Sequence, residues 1–192
     1  MKPIARQTAL VWFRRDLRLA DNLALRAAAQ AGDVIPVYIW DDKDSRPWSP
    51  GAASRWWLHH SLERLQASLE SAGSRLIIRK GDAGDVLLQL AAETGAAAIY
   101  WNRRYQPLLV EEDKAIRQRL IDRGIAVESF PGDLLFEPWR VENRAGRPFQ
   151  VFTPFWNALR EFTPSEPVGI PQLAAPEQWP RSLKVIDLAL EP

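Results

Sequence analysis

The sequence contains no cysteine, which excludes disulfides, thiol nucleophiles, cysteine-held zinc and iron–sulfur clusters on this chain. Histidine is almost absent: the two residues, His59 and His60, are neighbours. Adjacent side chains on a helix diverge by about 100°, so a shared metal site is not expected and both read as structural or solvent-facing. Net charge is nearly absent too, since 25 Lys and Arg against 24 Asp and Glu leave +1. That balance does not indicate an electrostatic hold on nucleic acid. No apolar run approaches the roughly 18 residues that cross a bilayer, and nothing before Arg6 resembles a signal peptide's apolar core. A cytoplasmic protein without membrane contact is expected. The glycine-rich dinucleotide fingerprint, the phosphate-binding P-loop and the G-x-S-x-G nucleophile elbow are all missing. No nucleophile has a histidine to activate it.

What remains is a chain of 192 residues, 46% apolar and 26% charged, enough for one core plus an extension at about 150 residues per domain. It carries nine Trp, more than such a core needs. Residues 8–13 form a short apolar run ended by charges, the mark of a buried strand. Asp21 and Asn22 cap a helix over 23–31, closed by Gly32. A second strand spans 34–40, with Pro36 pointing to a kink or a weakly paired position. After a loop over 41–50, residues 52–72 make a long helix whose Leu58, Leu62, Leu65 and Leu69 form one apolar stripe. A strand within 75–79, a helix opened by Gly81 and Asp82, a strand over 96–101, a charged helix over 109–123 and a strand over 125–130 complete the alternation. The predicted fold class is α/β: a Rossmann-like, five-stranded parallel sheet with helices on both faces.

Ten of the fifteen Pro lie at or beyond Pro131, so the composition changes there. The expected organisation is an α/β domain over 1–131, a loop-rich extension with room for a hairpin and a short helix (154–162) over 132–162, and an extended linker over 163–192. A linker that leads nowhere suggests a truncated protein. Several Trp of the loop-rich part (Trp139, Trp156, Trp179) suggest an apolar docking face.

Ligands of open parallel sheets bind outside the carboxyl ends of the strands. Those ends carry Arg14, Arg15 and Asp16, then Trp40 and Asp41, then Gly81 and Asp82, then Asn102, Arg103, Arg104 and Tyr105. Arg55, near the start of the long helix, should face the same rim. Aromatic walls with guanidinium edges suit a flat anionic ligand. Equally, Arg103 and Arg104 can form a solvated turn. Trp12 and Trp101 read as core, and one of Trp56 and Trp57 should be core with the other facing outward. Glu111, Glu112 and Asp113, near a helix start, read as complements to the helix dipole. Taken alone, these residues describe a ligand-binding α/β domain with no visible catalytic machinery.

The first strand and its loop say more. Val11-Trp12-Phe13-Arg14-Arg15-Asp16-Leu17-Arg18-Leu19, followed by Asp21-Asn22-Leu23-Ala24-Leu25, resembles the N-terminal signature of DNA photolyases and cryptochromes. Ser49-Pro50-Gly51 with Arg55, Tyr100-Trp101-Asn102-Arg103-Arg104-Tyr105 and Val151-Phe152-Thr153-Pro154-Phe155-Trp156 resemble three further segments of that family, with bacterial deoxyribodipyrimidine photolyases the nearest branch. The resemblance implies an antenna domain that absorbs near-ultraviolet or blue light and passes excitation to FAD. It also implies that the FAD, the tryptophan electron-transfer chain and the lesion pocket sit in a helical C-terminal domain absent here, so this chain alone should not act as a lyase. Partners would be that domain and, through the full-length protein, damaged DNA; the intact protein would be monomeric. The alternatives are a cryptochrome photoreceptor domain and a free-standing nucleotide-binding module.

By the same resemblance, an antenna would be held by Arg15, by Tyr38, Ile39, Trp40 and Asp41 at the second strand's end, by Arg55, and by Asn102 and Arg104. Arg55 would be its main anchor and Trp40 a wall. The two carboxylates that deazaflavin-binding relatives use after the fourth strand are here Arg104 and Gln106. The Asn-Glu pair of a folate-binding branch is here Leu108-Leu109. Trp101-Asn102-Arg103-Arg104-Tyr105 resembles bacterial photolyases allied to plant cryptochromes, which implies 5,10-methenyltetrahydrofolate, with 8-hydroxy-5-deazaflavin as the alternative.

Overall fold

The computed structural model describes residues 7–41 and 49–191. Its first strand, β1 (Gln7–Phe13), is apolar on both sides because both sides are covered. Ala9, Val11 and Phe13 enter one core; Leu10 and Trp12 enter another. Helix α1 (Leu23–Ala31) starts at Asn22, whose side chain accepts from the Leu25 N–H. Gly32 then begins β2 (Gly32–Trp40), where a Cβ would strike the Gln7 backbone. The remaining elements are α2 (Ala52–Ser71), β3 (Ile77–Lys80), α3 (Ala83–Thr94), β4 (Ala98–Asn102), α4 (Pro107–Ile121), β5 (Ala126–Phe130) and α5 (Phe152–Leu159). Short 3₁₀ turns stand at Pro138–Arg140 and Val185–Leu188, and no hairpin forms among the described residues of the loop-rich stretch.

The sheet is fully parallel, in the order β3-β2-β1-β4-β5. The chain steps outward from β1 to β3, then returns to build β4 and β5 on the other side, so the direction switches between β1 and β4. One face packs on α1 and α2 through Leu25, Ala28, Leu62, Leu65 and Leu69. The other packs on α3 and α4 through Val86, Leu87, Leu90, Ile116 and Leu120. Each fully buried Leu or Ile contributes about 1.5–3 kcal/mol, so these two cores, and not surface ion pairs, set the fold. Among the described residues, no helix is long and apolar enough to cross a membrane.

Several details differ from the sequence reading. Pro36 lies within a non-edge strand, level with Val11; it is tolerated because β3 begins only opposite Val37, leaving that edge of β2 free of a strand. On α2 the buried stripe is His59, Leu62, Leu65 and Leu69, with Leu58 half-buried. Trp56 and Trp57 are both exposed, at 48% and 70%, just before the residues of α2 that meet the core, Leu58 and His59 onward. Helix α4 starts two residues earlier than expected, at Pro107, so its first turn carries no acid. The loop after β2, with Asp42, falls in 42–48, outside the described residues.

The stretch read as a linker has little regular structure, yet it runs back across the domain. Val168 and Asp21 exchange backbone and side-chain hydrogen bonds (2.7 and 3.3 Å). The Val34 N–H donates to the Ala174 carbonyl at 2.9 Å, and the Leu183 N–H to the Ile78 carbonyl at 3.0 Å. Leu173, Val185, Leu188 and Leu190 are buried in the α2-side core.

Candidate ligand-binding rim

The direction switch puts the carboxyl ends of β1 and β4 side by side, where open α/β sheets usually leave a crevice. Here the chain's own side chains fill it. Asn102, at the end of β4, donates from Nδ2 to Asp16 Oδ2 (2.6 Å) and to Asn22 Oδ1 (2.9 Å). Its Oδ1 accepts from the Ala24 N–H at 3.2 Å, so both amide hydrogens and the oxygen are used within the fold. Gly132 rests against it; a Cβ there would stand 2.5 Å from that of Asn102.

Arg14 extends from the neighbouring end of β1, and its side chain is 5% exposed. Its Nη1 holds both oxygens of Asp113 at 2.7 Å, and its Nη2 donates to the Asn102 carbonyl. Arg104 donates to Asp113 as well, and to Glu112 at 3.0 Å. The guanidinium of Arg14 lies 4.6 Å from the Trp12 ring centre, and that of Arg104 lies 5.7 Å from it. Trp12 meets Trp101 edge to face at 5.6 Å. Burial lowers the pKa of Arg14, Asp113 opposes that shift and Arg104 adds to it. Trp12 Nε1, Arg14 Nε and Arg104 Nε are buried without a partner, which concentrates electrostatic cost here.

The β2 side of the rim is different. Tyr38 and Trp40 share the face that packs toward α2, whereas Ile39 is buried on the opposite face against α3. Burial raises the pKa of Tyr38 and makes it a core residue. Trp40 and Asp41 are half-buried; Arg15 and Arg55 are exposed. Gly51, the N-cap of α2, has no side chain with which to cap the first N–H groups.

Of the eight residues expected at the site, four thus have accessible groups (Arg15, Trp40, Asp41, Arg55), and four are committed within the fold (Tyr38, Ile39, Asn102, Arg104). Sequence reasoning missed Asp113, the shared counter-ion of two arginines. Its signal lay in the excess of Arg at the rim, which needs an acid somewhere on the helix that follows β4. Arg103 does not form a solvated turn: it holds Glu137 at 2.8 Å and the Ser129 carbonyl at 2.7 Å, fastening the loop-rich extension to the sheet. On that extension Trp139, Phe152 and Trp156 are exposed, whereas Trp179, in the segment that follows, is half-buried against the α3-side core.

Comparison with known proteins places this arrangement. The DNA photolyase family model matches residues 9–177, most of the chain. The protein belongs to the DNA photolyase family. The deoxyribodipyrimidine photo-lyase of Agrobacterium fabrum is 50% identical over 186 residues, which is 95% of this chain and 38% of that protein. Cryptochrome-1 of Arabidopsis thaliana is 46% identical over 149 residues, 77% of this chain and 22% of that one. The crystal structure of a class III photolyase from Agrobacterium tumefaciens superposes with a TM-score of 0.90 at 47% identity, over 99% of this chain and 40% of the other. An archaeal photolyase from Sulfolobus tokodaii, solved with two FAD molecules, superposes at 0.77 with 27% identity, over 95% and 41% of the two chains. The chain therefore corresponds to the N-terminal α/β region of photolyases and spans about two fifths of the length of these photolyases and about a fifth of the cryptochrome.

Proposed function

We propose that this domain is the light-harvesting part of a deoxyribodipyrimidine photolyase, holding an antenna chromophore beside a flavin-bearing second domain. The 50% identity to the Agrobacterium photo-lyase across 95% of the chain carries this reading. When bound, the chromophore absorbs near-ultraviolet or blue light and supplies excitation to FAD. Excitation transfer needs fixed distance and orientation, and no acid, base or nucleophile, which is consistent with a rim of guanidinium and aromatic groups. The donor set fits a flat, partly anionic ring system: Arg15 and Arg55 offer charged N–H groups and Trp40 offers a ring. Tyr38 and Ile39 act from below, fixing the end of β2. Asn102 and Arg104 hold the neighbouring strand ends rigid. The favoured chromophore is 5,10-methenyltetrahydrofolate; 8-hydroxy-5-deazaflavin is the alternative.

The exposed aromatic side chains of the extension, Trp139, Phe152 and Trp156, fit a face that meets the flavin-bearing domain. Damaged DNA is then met through the assembled protein, and the isolated 192-residue chain is inactive in dimer reversal. The test adds the folate and the deazaflavin in turn to the purified chain and follows absorbance. Saturable binding of one, and no light-driven reversal of pyrimidine dimers by the chain alone, is the expected result. Binding of neither, or repair by the chain alone, overturns the reading. The 46% identity to a plant cryptochrome favours a second reading, a photoreceptor domain with the same antenna role and no repair. Repair by the protein reunited with a flavin domain decides between them.

A further inference from the structure

On the side of the molecule that carries α2 and the returning C-terminal segment, four side chains of metal-ligating type converge. His59 and His60 diverge along the helix axis, but Glu63 stands one turn on, between their directions. His59 Nε2 lies 3.4 Å from Glu63 Oε1, and His60 Nδ1 lies 3.2 Å from Glu63 Oε2. One ligand atom from each of the three residues falls within 4.8 Å of the others. From the end of the chain, 128 residues beyond Glu63 in the sequence numbering (191 − 63), Glu191 completes the group. It lies 3.4 Å from His60 Nε2 and 3.9 Å from His59 Nε2.

We propose that His59, His60 and Glu63 bind a divalent transition-metal ion of the zinc type, and that Glu191 supports the metal-bound His60 from outside, so that ion binding fastens the C-terminal segment to α2. Tetrahedral zinc, with bonds of about 2.0–2.1 Å to nitrogen and oxygen, sets its ligand atoms roughly 3.3–3.4 Å apart. The two histidines stand 3.4 and 3.2 Å from one and the other oxygen of Glu63, close to that spacing. Imidazole plus carboxylate is the donor set such ions take, whereas calcium and magnesium prefer oxygen alone. His59 is 5% exposed and its Nδ1 is buried without a partner, so Nε2 is its only nitrogen that reaches the cluster. His60 can bind through Nδ1 while its Nε2–H donates to Glu191, the carboxylate–histidine support that orients metal-bound imidazoles. The segment this would fasten already packs its Val185, Leu188 and Leu190 into the core, so an ion would lock an existing arrangement.

The experiment titrates the chelator-treated 192-residue chain with Zn²⁺, followed by thermal midpoint, and with Co²⁺, followed by visible absorption. Saturable one-to-one binding, a raised midpoint and the visible bands of four-coordinate cobalt are expected. The Trp56 ring stands 4.5 Å from that of His60, so cobalt should quench Trp fluorescence in a component that Trp56→Phe removes. His60→Ala and Glu63→Gln alter accessible side chains, should melt like wild type without metal, and should lose saturable binding. Glu191→Gln should weaken binding about tenfold or more. No saturable binding by wild type, or undiminished binding by His60→Ala or Glu63→Gln, overturns the site. Undiminished binding by Glu191→Gln overturns the fastening of the C-terminal segment.

Discussion

The two halves of the carboxyl rim have similar residue types and opposite behaviour. At β1 and β4, Arg14, Arg104, Asn102 and two Trp are turned inward and bonded to one another or to Asp113. At β2 and α2, Arg15, Arg55 and Trp40 remain accessible. Neighbourhood accounts for the difference. The β4 end is overlaid by α4, which brings an acid to the arginines, and by α1, which brings Asn22 to the asparagine. Among the described residues, the β2 end is followed by the half-buried Asp41, and α2 begins with an uncapped turn. A rim arginine is therefore committed to the fold where a neighbouring helix supplies its counter-ion, as Asp113 of α4 does for Arg14 and Arg104.

The largest effect expected from breaking this contrast comes at Asp113. Asp113→Ala leaves Arg14 and Arg104 facing each other, largely buried, with Glu112 reaching only Arg104 among the contacts above. Stranding buried charge costs about 3–5 kcal/mol, read as a shift of the urea midpoint at constant slope. A shift below about 1 kcal/mol would mean that water already serves the cluster. Asn102→Ala follows, at about 3 kcal/mol: it removes three hydrogen bonds and leaves Asp16 Oδ2 and the Ala24 N–H buried without the partner they had. Chromophore affinity measured on the surviving folded fraction should be close to wild type, because Asn102 is spent on the fold.

The contrast was only half legible in the sequence. The strands were plain, since runs buried on two faces are apolar throughout, and Asn22 and Asp82 mark helix starts by local chemistry. Asn102 was conspicuous but ambiguous: its partner Asp16 lies 86 residues away, and no local rule separates a ligand loop from an internal knot. Asp113 was misread because α4 begins at Pro107, which moves the acidic run out of the first turn and onto the face above Arg14. The burial of Leu173, Val185, Leu188 and Leu190 was illegible, because a proline-rich coil that packs has no period to reveal its inward side.

Tyr38 marks the boundary between the two regimes. Although it stands on the open β2 side, its phenol is buried and its pKa raised by that burial. The neutral form is thus favoured in the folded state. Its contribution to stability is complete below the unfolded value of about 10 and is lost as pH rises toward the folded one. Stability should fall above about pH 10, and Tyr38→Phe should flatten that fall. An unchanged alkaline limb in the variant would show that the hydroxyl reaches water, and the open region would then extend one residue pair deeper.

The smallest expected effect on the fold, and the most informative for the site, belongs to Arg55. A cation in the first turns of a helix opposes the dipole by a few tenths of a kcal/mol, and α2 has no acid in its first turn to offset it. Arg55 is also exposed, so Arg55→Ala should leave the stability of the free chain within about 0.5 kcal/mol of wild type, or slightly above it. If Arg55 anchors an anionic chromophore, losing its charge-assisted contacts should cost about 1.5–3 kcal/mol of binding, roughly ten- to a hundredfold in affinity. The conservative Arg55→Lys should recover only part of that, because an ammonium cannot make the paired contacts of a planar fork. Thermal shift reads both quantities in one series: equal midpoints without ligand, and a smaller ligand-induced rise for the variant at the same concentration. An equal rise in wild type and variant would remove Arg55 from the site and leave Arg15 and Trp40 as the accessible half of the rim to be tested in the same way.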